Sequence, residues 1–401
     1  MHFHNIKDIK DFKNKTVLVR ADFNVPIKNG RILDDFKIKK GTATIKYLLN
    51  KKAKVVLVSH LGRPSGYDKK LSLKPVKNLL EKFLRKKIKF LDVKDWKKVQ
   101  GDIVKLPSGD VTLLENIRFI KGEEENDKRV AKRLAGLADI FVLDGFAVSH
   151  RAAASVSGVA KYLPAYAGLL LTQELDGLAK VLTQPKHPLV VVLGGAKMET
   201  KIPVLKNLLS KADHILLGGG IVNTYLWAKG YKIGSSLIEK NFKREAKKYC
   251  SKHKVVMPVD VIVGNAKGKQ ARAIKIDKKF KVKNGQGIYD IGPETIKLFS
   301  KYIKSAQTLV WNGAVGYFEQ HPYEYGTYSV ARLMAARAKG KAFGVCGGGE
   351  TVEVLRKLGL MSGIDLVSTG GGAMLEYLSG EKLPGVEVVK HKLHFLHKIF
   401  N

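Results

Sequence analysis

Along the whole chain, short runs of β-branched and aliphatic residues alternate with longer amphipathic segments. The runs are continuously apolar, which suits strands covered on both faces in a parallel sheet with crossover helices. Strands are predicted at 16–20 (TVLVR), 54–59 (KVVLVS), 111–115 (VTLLE) and 139–143 (DIFVL). The second half adds 188–193 (PLVVVL), 214–217 (HILL), 254–260 (KVVMPVD), 308–311 (TLVW), 341–346 (KAFGVC) and 365–369 (DLVST). Segments such as KNLLEKFLRKKIKF and KNFKREAKKYCSKHK read as helices. Between the halves, AGLLLTQELDGLAKVL (167–182) repeats leucine at helical spacing and stops before the breaker-rich TQPKHP, so it reads as an interdomain helix. The pattern predicts an α/β protein of two doubly wound parallel-sheet lobes.

Composition agrees with that division. At 401 residues the chain is longer than one core usually serves, and 45% apolar with 27% charged residues supports packed cores. The formal charge of +36 is carried by lysines and arginines scattered over helix-like stretches. With no polybasic tail, aromatic-interleaved pattern or zinc-finger spacing, it reads as a solvated basic surface that attracts anionic substrates, not as a specific nucleic-acid interface. Cys250 and Cys346 are far apart and form neither a disulfide framework nor a cysteine zinc site. The polar, charged start resembles no cleavable signal, and no apolar run is long enough to span a bilayer, so a cytoplasmic location is expected. His2 and His4 read as tail residues. His391, His394 and His397 recur at helical spacing near the end, but no carboxylate or cysteine joins them there, and a docking helix is the plainer reading.

In an open parallel sheet, ligands bind beyond the carboxyl ends of the strands, and there the two halves differ. The first-half strands are followed by ADFNVP with Asp22 and Asn24, SHLGRP with His60 and Arg63, ENIRF with Arg118, and DGFAVSHR with His150 and Arg151. Guanidinium forks match phosphate and carboxylate oxygens, and Asp22 and Asn24 suit a hydroxyl. The ligand implied is small, acidic and hydroxylated. Any one of these residues alone would read as a surface ion pair; their recurrence at successive strand ends argues for a site.

The second-half strands are followed by glycine clusters: LGGAK (Gly195, Ala196), LGGGIV (Gly219), WNGAVG (Asn312, Gly313), CGGGET (Gly348, Gly349) and STGGGAM (Gly370, Gly371, Gly372). Glycine turns that open helices offer backbone N–H groups and a positive dipole end to phosphate. Neither GxxxxGK[ST] nor a clean GxGxxG occurs, which argues against a P-loop enzyme and a nicotinamide dehydrogenase. Lys197 and Lys201 flank the first turn, and Pro203 predicts a helix starting just beyond them. Glu350 can hold a magnesium ion, which takes one or two carboxylates plus phosphate oxygens, or can serve as an acidic residue in a helix's first turn.

From VRADFNVP to STGGGAMLEYLSG, with SHLGRP, ENIRF, SHRAAAS, LGGAKMETKI, LLGGGIVNTYL, WNGAVGYFE and CGGGET between them in order, the chain resembles the phosphoglycerate kinases. The resemblance implies reversible phosphoryl transfer between 1,3-bisphosphoglycerate with ADP and 3-phosphoglycerate with ATP, with Mg2+, in two lobes that face a cleft and close about a hinge. It implies a phosphoglycerate-binding domain at 1–167 plus about 386–401, the C-terminal segment returning to the first lobe, and a nucleotide-binding domain at 168–385. Asp22, Asn24, Lys37, His60, Arg63, Arg118 and Arg151 would bind the triose. Gly195, Ala196, Lys201, Gly219, Asn312, Gly313, Glu319, Gly348, Gly349, Glu350 and Thr351 would bind nucleotide, with Glu319 toward the ribose and Glu350 reaching the magnesium. Lys197, Lys37, Gly371 and Gly372 would stabilise the transferring group. The expected partners are the acidic metabolite and the nucleotide, with no membrane, and the chain is expected to be a monomer.

Departures from the family pattern are local. By register Lys37, in DDFKIK, stands where the family generally has an arginine treated as catalytic, and lysine lacks the planar fork. Glu350 stands where aspartate is frequent, Ala314 replaces a frequent proline, Ala153 a histidine and Gly145 an alanine. With the +36 charge, Lys37 and Glu350 motivate a second reading, a catalytically weakened relative acting as a ligand-binding or nucleic-acid-binding module.

Overall fold

The computed structural model describes residues 3–390. The chain forms two compact units, Met1–Asp176 with Lys382–Asn401, and Gly177–Glu381. The helix Leu169–Thr183 carries the chain from one to the other.

Six strands build the sheet of the first unit: β1 (Thr16–Arg20), β2 (Lys54–Val58), β3 (Lys89–Leu91), β4 (Val111–Leu114), β5 (Ile140–Leu143) and β6 (Ala165–Ala167). Their order is β3-β4-β2-β1-β5-β6 and every pairing is parallel. β1, at the centre, is buried at four of its five positions, as its unbroken apolar run requires. The predicted helix KNLLEKFLRKKIKF divides: a helix occupies Lys74–Leu84, ends at Arg85 with left-handed backbone, and Lys89–Leu91 becomes the edge strand β3. Three residues at a sheet edge carry too little periodicity to be recognised. The N-terminal stretch is no loose tail, since His4 donates its N–H to Val389 (2.8 Å) and accepts from Ala167 N–H (2.7 Å).

In the second unit the sheet strands are β7 (Leu189–Leu193), β8 (His214–Leu217), β9 (Val255–Val256), β13 (Thr308–Asn312), β14 (Phe343–Gly347) and β15 (Leu366–Val367), in the order β9-β8-β7-β13-β14-β15, all parallel. Counted along the chain this is 3-2-1-4-5-6, so the direction of winding reverses between β7 and β13. Between β9 and β13 the chain inserts an antiparallel sheet of β10 (Asp260–Gly264), β11 (Arg272–Lys275) and β12 (Gly287–Ile291), ordered β11-β10-β12. The run KVVMPVD is therefore not one strand: Pro258 lies between β9 in one sheet and β10, which starts at Asp260 in the other. Proline removes a ladder donor, and the run breaks there.

The helix after β7 also departs from expectation. It runs Met198–Leu208, with Lys201 and Pro203 inside it, instead of beginning just beyond Lys201. Its first N–H, at Met198, is capped by the Glu239 carboxylate, which is distant in sequence. That acceptor lets the helix start about one turn early in spite of the missing donor at Pro203. The three histidines at 391–397 lie outside the described residues. Among the described residues there is no cluster of three or more His, Cys, Asp or Glu that could hold a metal, and no helix long and apolar enough to cross a membrane.

Candidate functional site

In the first unit, strand ends deliver cations to one place. Arg20, the last residue of β1, is 3% exposed; its guanidinium donates to Ser155 Oγ (2.8 Å), to Ala21 O (2.5 Å) and to His60 Nδ1 (3.3 Å). Since arginine only donates, Nδ1 is the acceptor and the His60 proton sits on Nε2. Burial, opposed by Asp22 and reinforced by Arg20, holds His60 well below its ordinary range, so the imidazole is neutral. Lys37, in the first turn of the helix Phe36–Asn50, reaches Asp22 Oδ2 at 2.7 Å. Burial pushes Asp22 up, but the charge and hydrogen bond of Lys37, joined by the charge of Arg20, outweigh it and hold the carboxyl below its ordinary range. Asn24 Oδ1 accepts Gly62 N–H (3.0 Å), and Asn116, fully buried, bonds Leu61 through both ends of its amide, fixing the loop after β2. Arg118 donates to Gly62 O (2.6 Å) and pairs with Glu124 (2.7 Å), toward which Arg151 also points (3.7 Å). Arg63 is exposed on the same loop, and His150 Nδ1 is buried without a partner among the described residues. Asp22, Lys37, His60 and Arg20 thus form one group, and Arg118 and Arg151 another around Glu124.

In the second unit the winding reversal holds a cavity of about 380 Å³ lined by Gly195, Ala196, Gly219, Ala314, Glu319 and Glu350 among others. Three turns are laced across it by backbone: Gly194 N–H to Asn312 O (3.0 Å), Gly195 N–H to Ala314 O (2.6 Å) and Gly220 N–H to Gly195 O (3.0 Å). Gly219 has φ +64°, and a Cβ there would lie 2.9 Å from Gly195 N, so only glycine allows this approach. Lys201, 8% exposed, donates to Asn312 Oδ1, and burial lowers it to about 8 against the pull of Glu350. Thr351 Oγ1 accepts Gly313 N–H (2.9 Å), and Glu350 Oε2 accepts Ala314 N–H (3.1 Å). Gly348 and Gly349 open the helix Gly349–Lys357, and Gly371 and Gly372 open the helix Gly371–Leu378. A Cβ on Gly371 would stand 2.8 Å from Gly348 Cα, whereas nothing crowds Gly372. Lys197 is exposed immediately before the helix Met198–Leu208. Glu319 lines the cavity, raised by partial burial and by Glu350 and Glu353.

The phosphoglycerate kinase family model matches residues 6–381. The chain belongs to this family. It is 43% identical to the phosphoglycerate kinase of Pelotomaculum thermopropionicum over 96% of this chain and 99% of that one, and 43% identical to that of Francisella tularensis over 98% and 99%. Among solved structures it is similar to phosphoglycerate kinase from Coxiella burnetii (41% identity, TM-score 0.85, covering 97% of this chain and 99% of that chain). It is also similar to that from Pyrococcus horikoshii (31%, 0.82, covering 96% and 98%). As a phosphoglycerate kinase it transfers a phosphoryl group reversibly between 1,3-bisphosphoglycerate with ADP and 3-phosphoglycerate with ATP, a reaction that uses magnesium with the nucleotide.

Some residues of these clusters were not singled out by sequence. Arg20 closes an apolar strand, and its one signal was a charge at the inner end of TVLVR. Leu237, Ile288, Tyr289 and Val315 line the cavity of the second unit, three of them from outside the parallel sheet's strand ends and turns, and they carried no local signal. Asp144, after β5, is 1% exposed; its Oδ1 accepts Leu170 N–H (3.0 Å) at the start of the interdomain helix, and its Oδ2 has no partner among the described residues. Burial lifts it to about 7, against bonds from Thr44, Leu171 and Leu170. Between about pH 4 and about pH 7 the unfolded carboxyl is ionised while the folded one keeps its proton. Stability falls across that window as pH rises, by up to about 1.4 kcal/mol per pH unit. Asp144→Asn is expected to remove this component of the slope in urea unfolding followed at several pH values; parallel wild-type and variant curves would contradict it.

Proposed function

We propose that the units divide the substrates: the first binds the phosphoglycerate, and the second binds ADP or ATP. The observation that carries this reading is the contrast at the strand carboxyl ends. One unit gathers Arg20, Lys37, His60, Arg118 and Arg151 around short acidic counter-groups, and the other gathers glycine N–H groups around a cavity. Guanidinium groups hold the triose phosphate and carboxylate, while Asp22 and Asn24 orient its hydroxyl. Gly195, Asn312, Gly313, Lys201 and Thr351 hold the nucleotide phosphates, and Glu319 reaches the ribose.

The attacking group in the ATP-consuming direction is an already ionised carboxylate, so no general base is needed. Catalysis comes from positioning and from neutralising charge on the transferring oxygens. Lys197, the N–H groups at Gly371 and Gly372, and Lys37 supply that neutralisation. Transfer also demands that the two ligands meet with water excluded, because water would hydrolyse the acyl phosphate. The donor set fits a magnesium ion carried by the nucleotide, since Glu350 places one exposed carboxylate beside the glycine turns. When bound, the ion neutralises phosphate oxygens, and Glu350 would hold it.

A coupled assay of 3-phosphoglycerate-dependent ATP consumption tests these roles. Lys37→Ala is expected to lower kcat by roughly 10²–10³-fold, and Lys37→Arg to raise it about tenfold by restoring the planar fork. Equal kcat in wild type and Lys37→Ala would remove Lys37 from the mechanism.

A further inference from the structure

Among the cations of the first unit, two arginines already face an anion that the chain itself supplies. Arg118 Nη2 stands 2.7 Å from Glu124 Oε1, and Arg151 Nη1 faces the same oxygen at 3.7 Å. Two guanidinium groups converging on one oxygen are what a phosphate or carboxylate group of a ligand would meet there. The Arg118 side chain is 5% exposed and that of Glu124 is 43% exposed, so the carboxylate is the outer member of the pair.

Glu124 is not needed to aim the arginine. Arg118 Nη1 donates to Gly62 O (2.6 Å), and the Arg118 backbone N–H donates to Asn116 Oδ1 (3.1 Å), so both are fixed by other partners. The loop that carries Glu124 is pinned independently too. Its buried neighbour Glu123 accepts Ser155 N–H (3.0 Å) and Ser155 Oγ–H (2.5 Å) on its carboxylate, and Ala154 N–H (2.8 Å) on its carbonyl. What Glu124 contributes is charge. Burial lowers Arg118, Glu124 is the foremost group that opposes this, and Arg151 adds to the lowering. The carboxylate thus offsets the burial of one guanidinium and the repulsion between the two, as a bound anionic group would in its place.

We propose that Glu124 is a built-in competitor of the phosphoglycerate: it pairs with arginines that receive the substrate's anionic groups, yields them when the substrate binds, and so sets the affinity for that substrate. The inference rests on the placement of the phosphoglycerate in the first unit, proposed above. Without the competitor, two repelling guanidinium groups are left for the substrate to neutralise, and binding tightens. The effect is that of an ion pair with one half-exposed member, about three- to fivefold in affinity.

Calorimetric titration with 3-phosphoglycerate in the absence of nucleotide tests it. Glu124→Gln is expected to lower Kd about three- to fivefold and to lower KM for 3-phosphoglycerate in step, with KM for ATP within about 1.5-fold of wild type. Glu125→Gln is the control: it removes the same charge from the next position, which is exposed and takes part in no ion pair among the described residues. Its Kd is expected to stay within about 1.5-fold of wild type. An unchanged or higher Kd in Glu124→Gln overturns the inference, the higher value by making the carboxylate a support for Arg118. Equal tightening in Glu125→Gln overturns it as well, because net charge and not the contact would be responsible. Thermal unfolding gives an independent readout. Glu124→Gln is expected to unfold at a lower temperature than wild type on its own and at the same temperature in saturating 3-phosphoglycerate, since the pair is already broken in the complex. A deficit that persists undiminished at saturation overturns the inference. Arg151→Gln separates the two readings, because it raises Kd about tenfold if the first unit holds this substrate. If Kd stays unchanged there, the placement of the phosphoglycerate fails, and the role of Glu124 falls with it. A raised Kd in Arg151→Gln beside an unchanged one in Glu124→Gln leaves the placement standing and removes the competitor alone.

Discussion

Arg20→Met is expected to cost about 3–5 kcal/mol of stability, because it strips a positive charge from a buried group of charges. The guanidinium is 3% exposed and donates to Ser155, Ala21 and His60. Glu123, 2% exposed, is raised by burial, and Arg20 is the foremost group that opposes this rise. Ser155 links the two, donating its N–H (3.0 Å) and its hydroxyl (2.5 Å) to the Glu123 carboxylate while receiving from Arg20. Without Arg20 this carboxylate loses its main counter-charge. In a Glu123→Gln background the same substitution is expected to cost about half as much, a coupling that a double-mutant cycle in urea unfolding measures directly. A loss of less than about 1 kcal/mol in either background would mean the guanidinium is not structural, and its burial would have to be explained by ligand binding alone.

Lys201→Met is expected to lower kcat/KM for ATP by roughly 10²-fold, the cost of one desolvated charge contact to a phosphate. The pH dependence makes the assignment specific. Burial lowers Lys201 to about 8, so in the free enzyme its charge disappears as pH rises past about 8, and kcat/KM for ATP falls with it. Lys201→Arg keeps its charge and is expected to lose that alkaline limb. Stability moves the other way. The folded lysine sits below its ordinary value of 10.5, so the unfolded chain binds the extra proton between about pH 8 and that value. Stability rises across that window, and Lys201→Met abolishes the rise. An alkaline limb that survives in Lys201→Arg would assign it to another group.

Ten apolar runs, read from composition and periodicity, correspond to strands of the two parallel sheets in all but one case. A buried parallel strand needs a continuous β-branched run, and that requirement is written locally. KVVMPVD failed because its two halves join different sheets across Pro258, and nothing within seven residues says which partner each will find. The edge strand Lys89–Leu91 and the antiparallel insertion were invisible for the same reason, since their stability comes from neighbours far along the chain. Met198–Leu208 shows the converse, a local start signal at Pro203 overruled by an earlier cap supplied by Glu239.

The chemistry divides along the same line. Sequence alone determined the reaction family, the cationic character of one set of strand-end turns and the glycine character of the other, because both reside in short contiguous motifs at strand ends. Tertiary structure decided the burial of Arg20, the neutrality of His60, the lowered Lys201 and the raised Asp144. The three shifts follow from desolvation first, and the groups that oppose or reinforce it come from segments distant in sequence. It also decided the wall of the second unit's cavity, where Ile288 and Tyr289 come from a sheet that local periodicity did not reveal, and where the Ile288 carbonyl accepts from the amide of Asn223. A side chain's type is local, but its solvation and partners are set only when distant segments pack against it.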